Sequence, residues 1–495
     1  SAARWPGKVA IRCEGQERTY GELAARAQRV TGGMVALGLR KGDRVALLAP
    51  NCIEYPEVMI GVSDAGGIIA TLSPRLTASE IAAACDDCGA RFIIAHPTLS
   101  QTVNAANVST AEKTLLLGDE YERWLTAAEP RGALSDLEET DPFTLVYSSG
   151  TTGRPKGILI SHRSRTLTFH GMAMEYGCYG PDDLQLGIAP MSHGAGFAFI
   201  MASLFFGGTV EILGRFDPQV VLEQLATQPF TGVFLVPTHF QAIFALDKAI
   251  LERYKGRFTA LRTIMSNAAA LPQHMKEKIV AYFGADLLHE TYGSTEAGIV
   301  TNLRPQDQLS RKQSVGHPFC ITEVRLLGEH GQEVGPGEVG ELYSRSPYLF
   351  SGYFNQPRET AAAVRDGWVT AGDLARRDAD GYIYIVDRKK DMVVTGGFNV
   401  YPREVEEVLY RHPSVLEAAV FGIPDEKWGE AVIACVVVKP NFSLHVDELN
   451  GHCRQSLAGY KLPKEIHFID SLPRNPGGKV LKNTLRAQIL RESAA

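Results

Sequence analysis

Residues 147–157 read YSSGTTGRPKG, two serines, two threonines, three glycines and a lysine crowded into one turn. Such a loop offers unhindered backbone N–H groups, four hydroxyls and one positive charge, the equipment for holding a polyphosphate. A Walker-type phosphate loop opens a helix at its lysine. Here Lys156 follows Pro155 and precedes the apolar run GILIS, so the loop is expected to join two strands. An ordinary turn needs one or two such residues, and this one has many more.

Outward from the loop, the chain from Thr19 to about Ser310 alternates helical and strand-like segments: the helix pattern YGELAARAQRVTGGMVALGL, the strand RVALLAP, the helix VLEQLATQ and the strand GVFLVP. Repeated alternation implies mostly parallel sheets with helices on their faces. From about Ser314 to Asp387 the runs EVRLL, GEVGELYSR and GYIYIV, separated by Gly, Pro and Asp turns, predict a small antiparallel or barrel-like lobe. DRKKD at 387–391 is then a charged interruption between apolar runs. Beyond it Pro402 can open the helix REVEEVLYRH, and strands LEAAVFGI, EAVIACVVV and EIHFID surround a further helix near DELNGHCRQSL. The expected fold is α/β. Residues 1–387 form a large multi-lobed N-terminal domain of two α/β subdomains plus the barrel-like lobe, and residues 388–495 a small, mobile α+β C-terminal domain.

The 495 residues carry 50 basic against 56 acidic side chains, a net charge of -6, without a long basic block, which disfavours nucleic acid and anionic membranes as partners. Eight dispersed cysteines suggest reduced thiols in a cytoplasmic protein, and Cys85 and Cys88, without a second pair at ligand spacing, read as unrelated thiols. No apolar run approaches a transmembrane length, and no signal-peptide pattern is found. The abrupt opening SAARWPGK suggests that a short N-terminal piece precedes it.

Further segments resolve what the loop serves. SNAAAL at 266–271, HETYGSTEAG at 289–298, VTAGDLARRDADGYIYIVDRKKDMVVTGGFNVYPREVE at 369–406 and LPRNPGGKVLK at 472–482, taken in order with the loop, resemble the core motifs of the adenylate-forming superfamily. The resemblance runs from about Thr19 to Lys482 and is to the acyl- and aryl-CoA synthetase branch. It implies ATP, Mg²⁺ and coenzyme A as cofactors. A carboxylate is first joined to AMP, with loss of pyrophosphate, and then passed to a thiol. Catalysis of such a step between two anions is mainly positioning and charge neutralisation.

By this resemblance Ser148, Ser149, Gly150, Thr151, Thr152, Gly153 and Lys156 hold the β- and γ-phosphates. Tyr292 is similar to the residue stacked on adenine, Thr295 to the α-phosphate contact and Glu296 to the Mg²⁺ ligand; Asp373 and Arg388 resemble the ribose contacts. Asn267, Ala268, Ala269, Glu290, Thr291 and Gly293 complete the implied nucleotide site. Asn267 stands where the family commonly has glycine, and Ala270 where it often has proline, a departure beside adenine and the acyl pocket that leaves nucleotide binding expected and the acid unassigned by this motif. Lys479 matches the lysine that bridges carboxylate and phosphate during adenylation. Lys390 matches the hinge about which the C-terminal domain rotates. Gly397 would line the pantetheine tunnel, and Trp428 resembles an aromatic contact to the CoA nucleotide.

APMSHGAGFAF at 189–199 matches the segment bordering the acyl site. His193 resembles the histidine that gates the thiol tunnel; His193, Gly194, Phe197, Asn267 and Gly293 are the implied acyl-pocket residues. No arginine or lysine stands in the segment to pair a second carboxylate, which disfavours short diacids. The expected substrate is a hydrophobic monocarboxylic acid, either aromatic, of benzoate or cinnamate type, or a medium-to-long aliphatic chain. A homodimer is compatible with the sequence. Three other readings share these motifs: transfer of the acyl group to a carrier protein, a luciferase-like oxidation, and a non-catalytic nucleotide sensor. Retention of Glu296, Arg388 and Lys479 together argues against the sensor.

Overall fold

The computed structural model describes residues 1–148, 156–474 and 480–493. Among these residues the strands assemble into four sheets of nine, seven, six and five strands. In the nine-stranded sheet Val9–Cys13, Thr209–Ile212, Leu184–Gly187, Gly232–Phe234, Thr263–Ser266 and Leu288–Ser294 run parallel, and Gly298–Leu303 turns back antiparallel. In the seven-stranded sheet Lys113–Leu116, Ala90–Ala95, Arg44–Leu48, Ile68–Leu72 and Pro142–Ser148 run parallel, followed by antiparallel Lys156–Ser161. Lys156 therefore opens a strand, as the apolar run GILIS predicts.

Helices Tyr20–Ala36, Tyr55–Asp64, His162–Tyr176 and Gly194–Phe206 lie between these two sheets. One core cluster joins Val45, Leu47 and Ile69 of the seven-stranded sheet to Ile11, Val210 and Phe234 of the nine-stranded sheet. Gly194–Phe206 is apolar around its whole circumference because it meets packed neighbours on every side. Thr19 starts the first of these helices with a reciprocal capping box to Glu22.

The small lobe is a six-stranded antiparallel sheet built on Glu323–Leu327, Val339–Arg345, Asp373–Arg377 and Ile383–Arg388. Two short strands between 314 and 387 pair elsewhere: His317–Pro318 with Gly298–Leu303, and Gly352–Tyr353 with Lys156–Ser161, so they cover edges of the two larger sheets.

The C-terminal domain is organised by the hairpin Val415–Asp425 and Gly429–Val438. Val420, Val432, Ala434 and Val436 face helices Pro402–Tyr410 and Val446–Arg454. The alternate residues Phe421, Ile433 and Cys435 face Leu485 and Ile489 of Lys482–Ser493. Both faces are covered, which explains the near-continuous apolar runs. All eight cysteines are free. Cys85 and Cys88 are buried in helix Ala78–Cys88, and burial pushes their thiols up to about 12 and about 11, so both act as core packing.

Candidate active site

Parallel strands aim their C-terminal ends at one crevice, the usual place for a ligand in such sheets. Pro142–Ser148 ends there, Thr263–Ser266 runs into Asn267, and Leu288–Ser294 delivers Tyr292 and the hairpin tip with Thr295 and Glu296. Ser149, Gly150, Thr151, Thr152, Gly153 and Lys479 lie outside the described residues.

Tyr292 donates to Asp373 Oδ2 at 2.5 Å, and Arg388 Nε pairs with Asp373 Oδ1 at 3.1 Å. Burial first, and the Asp373 carboxylate second, raise the Tyr292 hydroxyl far above its ordinary range, so it stays a donor. The three residues implied to hold adenosine thus form one connected group. Tyr353 donates to Glu296 Oε1 at 2.8 Å, and the ring of Tyr353 lies 4.9 Å from the Lys156 ammonium, which pairs with Glu359. Through the edge strand Gly352–Tyr353 the implied metal ligand and the loop lysine are held in one place. Among the described residues Glu296 Oε2 has no hydrogen-bond or ion-pair partner, leaving a hard carboxylate oxygen that suits Mg²⁺.

Asn267 Nδ2 donates to Thr291 Oγ1 at 2.7 Å, and its Oδ1 accepts from the Ala268 N–H. Ala268 adopts φ +77, a left-handed conformation that a non-glycine residue keeps only where its surroundings hold it. Gly293 needs to be glycine because a Cβ there would lie 2.0 Å from the Gly298 carbonyl across the hairpin. Glu290 differs from the expectation. Its carboxylate turns into the core, where it pairs with the fully buried Lys276 and accepts from the Leu271 N–H at 3.3 Å, so its side chain is not available to the nucleotide.

His193 precedes helix Gly194–Phe206; burial, then the charge of Arg75, lower its pKa, keeping the imidazole neutral near pH 7. Phe197 is only 2% exposed and packs on Phe143 and Phe169, so it backs the pocket rather than lining it. The segment's lack of a cation is corrected by a neighbouring helix. Arg165, in the first turn of His162–Tyr176, places its guanidinium 5.3 Å from the Phe197 ring. Its Nη2 and Nη1 lie 3.7 and 4.0 Å from where a Cβ on Gly194 would sit.

On the C-terminal domain Gly396 and Gly397 adopt φ +57 and +82 in the turn between Val393–Thr395 and Phe398–Val400. The Trp428 ring would be 2.9 Å from a Cβ on Gly396, whereas the space beside Gly397 is open. The Lys427 and Lys464 ammoniums lie 4.8 and 5.2 Å from the Trp428 ring, a cationic aromatic surface next to that turn. Asp387, next to last in the lobe's final strand, accepts from the N–H groups of Arg388 at 2.7 Å and Arg403 at 2.9 Å, so it caps the first C-terminal helix. Lys482 pairs with Glu406 at 2.7 Å; burial opposes its charge, but Glu406 and Asp387 outweigh burial and raise its pKa. Lys390 is exposed beside this junction.

One group joins Tyr292, Asp373 and Arg388, and a second joins Glu296, Tyr353 and Lys156, an arrangement that fits an adenylate-forming ligase. The family model described as "AMP-binding enzyme" matches residues 1–354, and "AMP-binding enzyme C-terminal domain" matches residues 404–479. A feruloyl-CoA synthase of an Amycolatopsis species is 37% identical over 485 residues, 97% of this chain and 96% of its own length. A long-chain-fatty-acid–CoA ligase of Yersinia pestis is 33% identical, covering 98% and 92%. ATP-bound MatB from Rhodopseudomonas palustris superposes with a TM-score of 0.90 at 30% identity, covering 97% and 95%. The chain belongs to the AMP-binding enzyme family and is an AMP-forming acyl-CoA synthetase.

Proposed function

We propose that the protein activates a hydrophobic carboxylic acid of the aromatic, cinnamate-like type, and passes the acyl group to coenzyme A. The observation that carries the choice of acid is the 37% identity to a feruloyl-CoA synthase over 97% of the chain, above the 33% to a long-chain fatty-acid ligase. The pocket wall, with Gly194 and Ala195 partly exposed at the start of an apolar helix, supports it.

In the first half-reaction Asp373 and Arg388 position the ribose and Tyr292 the adenine. The phosphate loop with Lys156 receives the charge of the departing pyrophosphate, and Thr295 meets the α-phosphate. Glu296 would hold Mg²⁺, which supplies charge neutralisation on the phosphates. Lys479 neutralises the repulsion as the acid's carboxylate oxygen attacks the α-phosphorus. In the second half-reaction the C-terminal domain, turning at 387–391 with Lys390 in the hinge, presents Gly397 and Trp428, and the thiol enters past neutral His193. The thiol loses its proton, attacks the acyl carbonyl and displaces AMP. A cytoplasmic setting suits the eight unpaired thiols.

The test is acid-dependent pyrophosphate release from Mg-ATP over a panel of benzoates, cinnamates and C6 to C18 fatty acids. Highest kcat/KM on a cinnamate supports the assignment; highest kcat/KM on a fatty acid overturns the aromatic choice.

A further inference from the structure

Arg165 is 8% exposed, and among the described residues it has neither a hydrogen bond nor an ion pair. Its Nε is fully enclosed without a partner, and one face of the guanidinium lies on Phe197. Buried guanidinium groups ordinarily meet a carboxylate or several acceptors, because losing water without replacing its hydrogen bonds is costly. Other arginines of this chain conform: Arg26, for example, is held by both Glu57 and Glu122.

The open side of the guanidinium faces the start of helix Gly194–Phe206. Leaving aside its chain neighbours and its own helix backbone, the two Nη atoms are the only atoms of the described residues within 4 Å of a Cβ built on Gly194. This thirteen-residue helix has no side-chain cap at its N-terminus. Its first-turn N–H groups and its dipole present positive charge to the same space as Arg165. Two positive groups facing one space without an anion disfavour each other, and a ligand acceptor removes that penalty. The pocket wall carries no Cβ at the point where the acceptor would sit.

The geometry points to a polar subsite in the acyl pocket, made by Arg165 and the first turn of Gly194–Phe206, that takes a second oxygen acceptor on the acid substrate. The acceptor is a carboxylate or a phenolic oxygen remote from the carboxylate being activated. This inference rests on the ligase reading and departs from the expectation of a hydrophobic monocarboxylic acid without a second polar group. Burial pulls the Arg165 pKa down to about 10, which leaves the group charged at neutral pH.

The experiment compares matched acids in pyrophosphate release: cinnamate against 4-hydroxy-3-methoxycinnamate and 4-carboxycinnamate, and octanoate against octanedioate. The wild-type enzyme is expected to favour the oxygen-bearing member of at least one pair by about tenfold or more in kcat/KM. Arg165→Met should bring that ratio toward one, and Arg165→Lys, which keeps the charge but loses the planar fork, should fall between. The winning pair tells carboxylate from phenolic oxygen. If acids turn over and the wild type shows no such preference, the subsite is overturned while the ligase reading stands. That comparison needs no variant to fold. Retention of the preference in Arg165→Met would also overturn it. If no acid supports pyrophosphate release, the ligase reading itself fails and the subsite with it.

Discussion

Tyr292 and Asp373, from a strand of the nine-stranded sheet and a strand of the small lobe, are joined by a 2.5 Å hydrogen bond. Arg388 holds the other oxygen of the same carboxylate, so the residue assigned to the ribose is oriented before nucleotide arrives. Preorganisation of this kind lowers the ordering cost of binding.

Asp373→Asn should therefore raise the ATP KM by about tenfold or more, since charge-assisted hydrogen bonds contribute roughly 1.5–3 kcal/mol each. Tyr292→Phe keeps the ring and should change the ATP KM much less than Tyr292→Ala, which loses a stacking surface of about 1–3 kcal/mol. Initial-rate kinetics at saturating acid separate the three. Equal effects of Phe and Ala at 292 would contradict the stacking role.

Lys479→Ala should slow adenylation by about 10²–10³-fold or more, the scale for removing one preorganised electrostatic contact. Conversion of a supplied acyl-adenylate and CoA to thioester should be affected far less. Lys390→Pro, which stiffens the proposed hinge, should do the reverse. Single-turnover assays of each half-reaction read both, and equal losses in the two halves for Lys479→Ala would sink the division of labour.

Acid should weaken the fold through two histidines. Burial lowers His239 and His289 from 6.5 to about 4, so the unfolded chain binds more protons between those values. Stability is complete above about pH 6.5 and falls as pH drops toward 4, each group contributing on the order of 3 kcal/mol. Urea midpoints measured from pH 7 to pH 4.5 should decline, and His239→Phe should flatten the decline. A slope unchanged by that substitution would remove His239 from the account.

Gly396→Ala meets both a positive φ of +57 and the Trp428 ring at 2.9 Å. The backbone alone costs about 1–2 kcal/mol. Thermal unfolding should shift down, and the CoA KM should rise as Trp428 is displaced, with the ATP KM little changed. At Gly397 the space is open, so the cost of Ala is the backbone's alone.

Much of this was legible because it is local. The strand after Lys156 follows from GILIS, and the helix at Pro402 from a proline at its first turn. Ordered motifs pointed to Tyr292, Glu296 and Asp373, and the structure connects Tyr292 to Asp373 directly. What escaped is tertiary. Nothing local in HETYG shows that Glu290 turns inward to Lys276, a residue of helix Gln273–Phe283. Likewise Arg165 follows the loop strand in sequence, and only the packing of two core helices brings it to Gly194. Nor does the sequence around Lys482 show that its pairing with Glu406 beside Asp387 ties the last helix to the interdomain junction.

The most direct test of the central claim is the stoichiometry of pyrophosphate release with Mg-ATP and the preferred acid, followed with and without coenzyme A. Release should stop near about one equivalent per enzyme without CoA, and continue through many turnovers, with acyl-CoA and AMP accumulating, once CoA is added. Release that stops near one equivalent with CoA present would contradict coenzyme A as the acceptor.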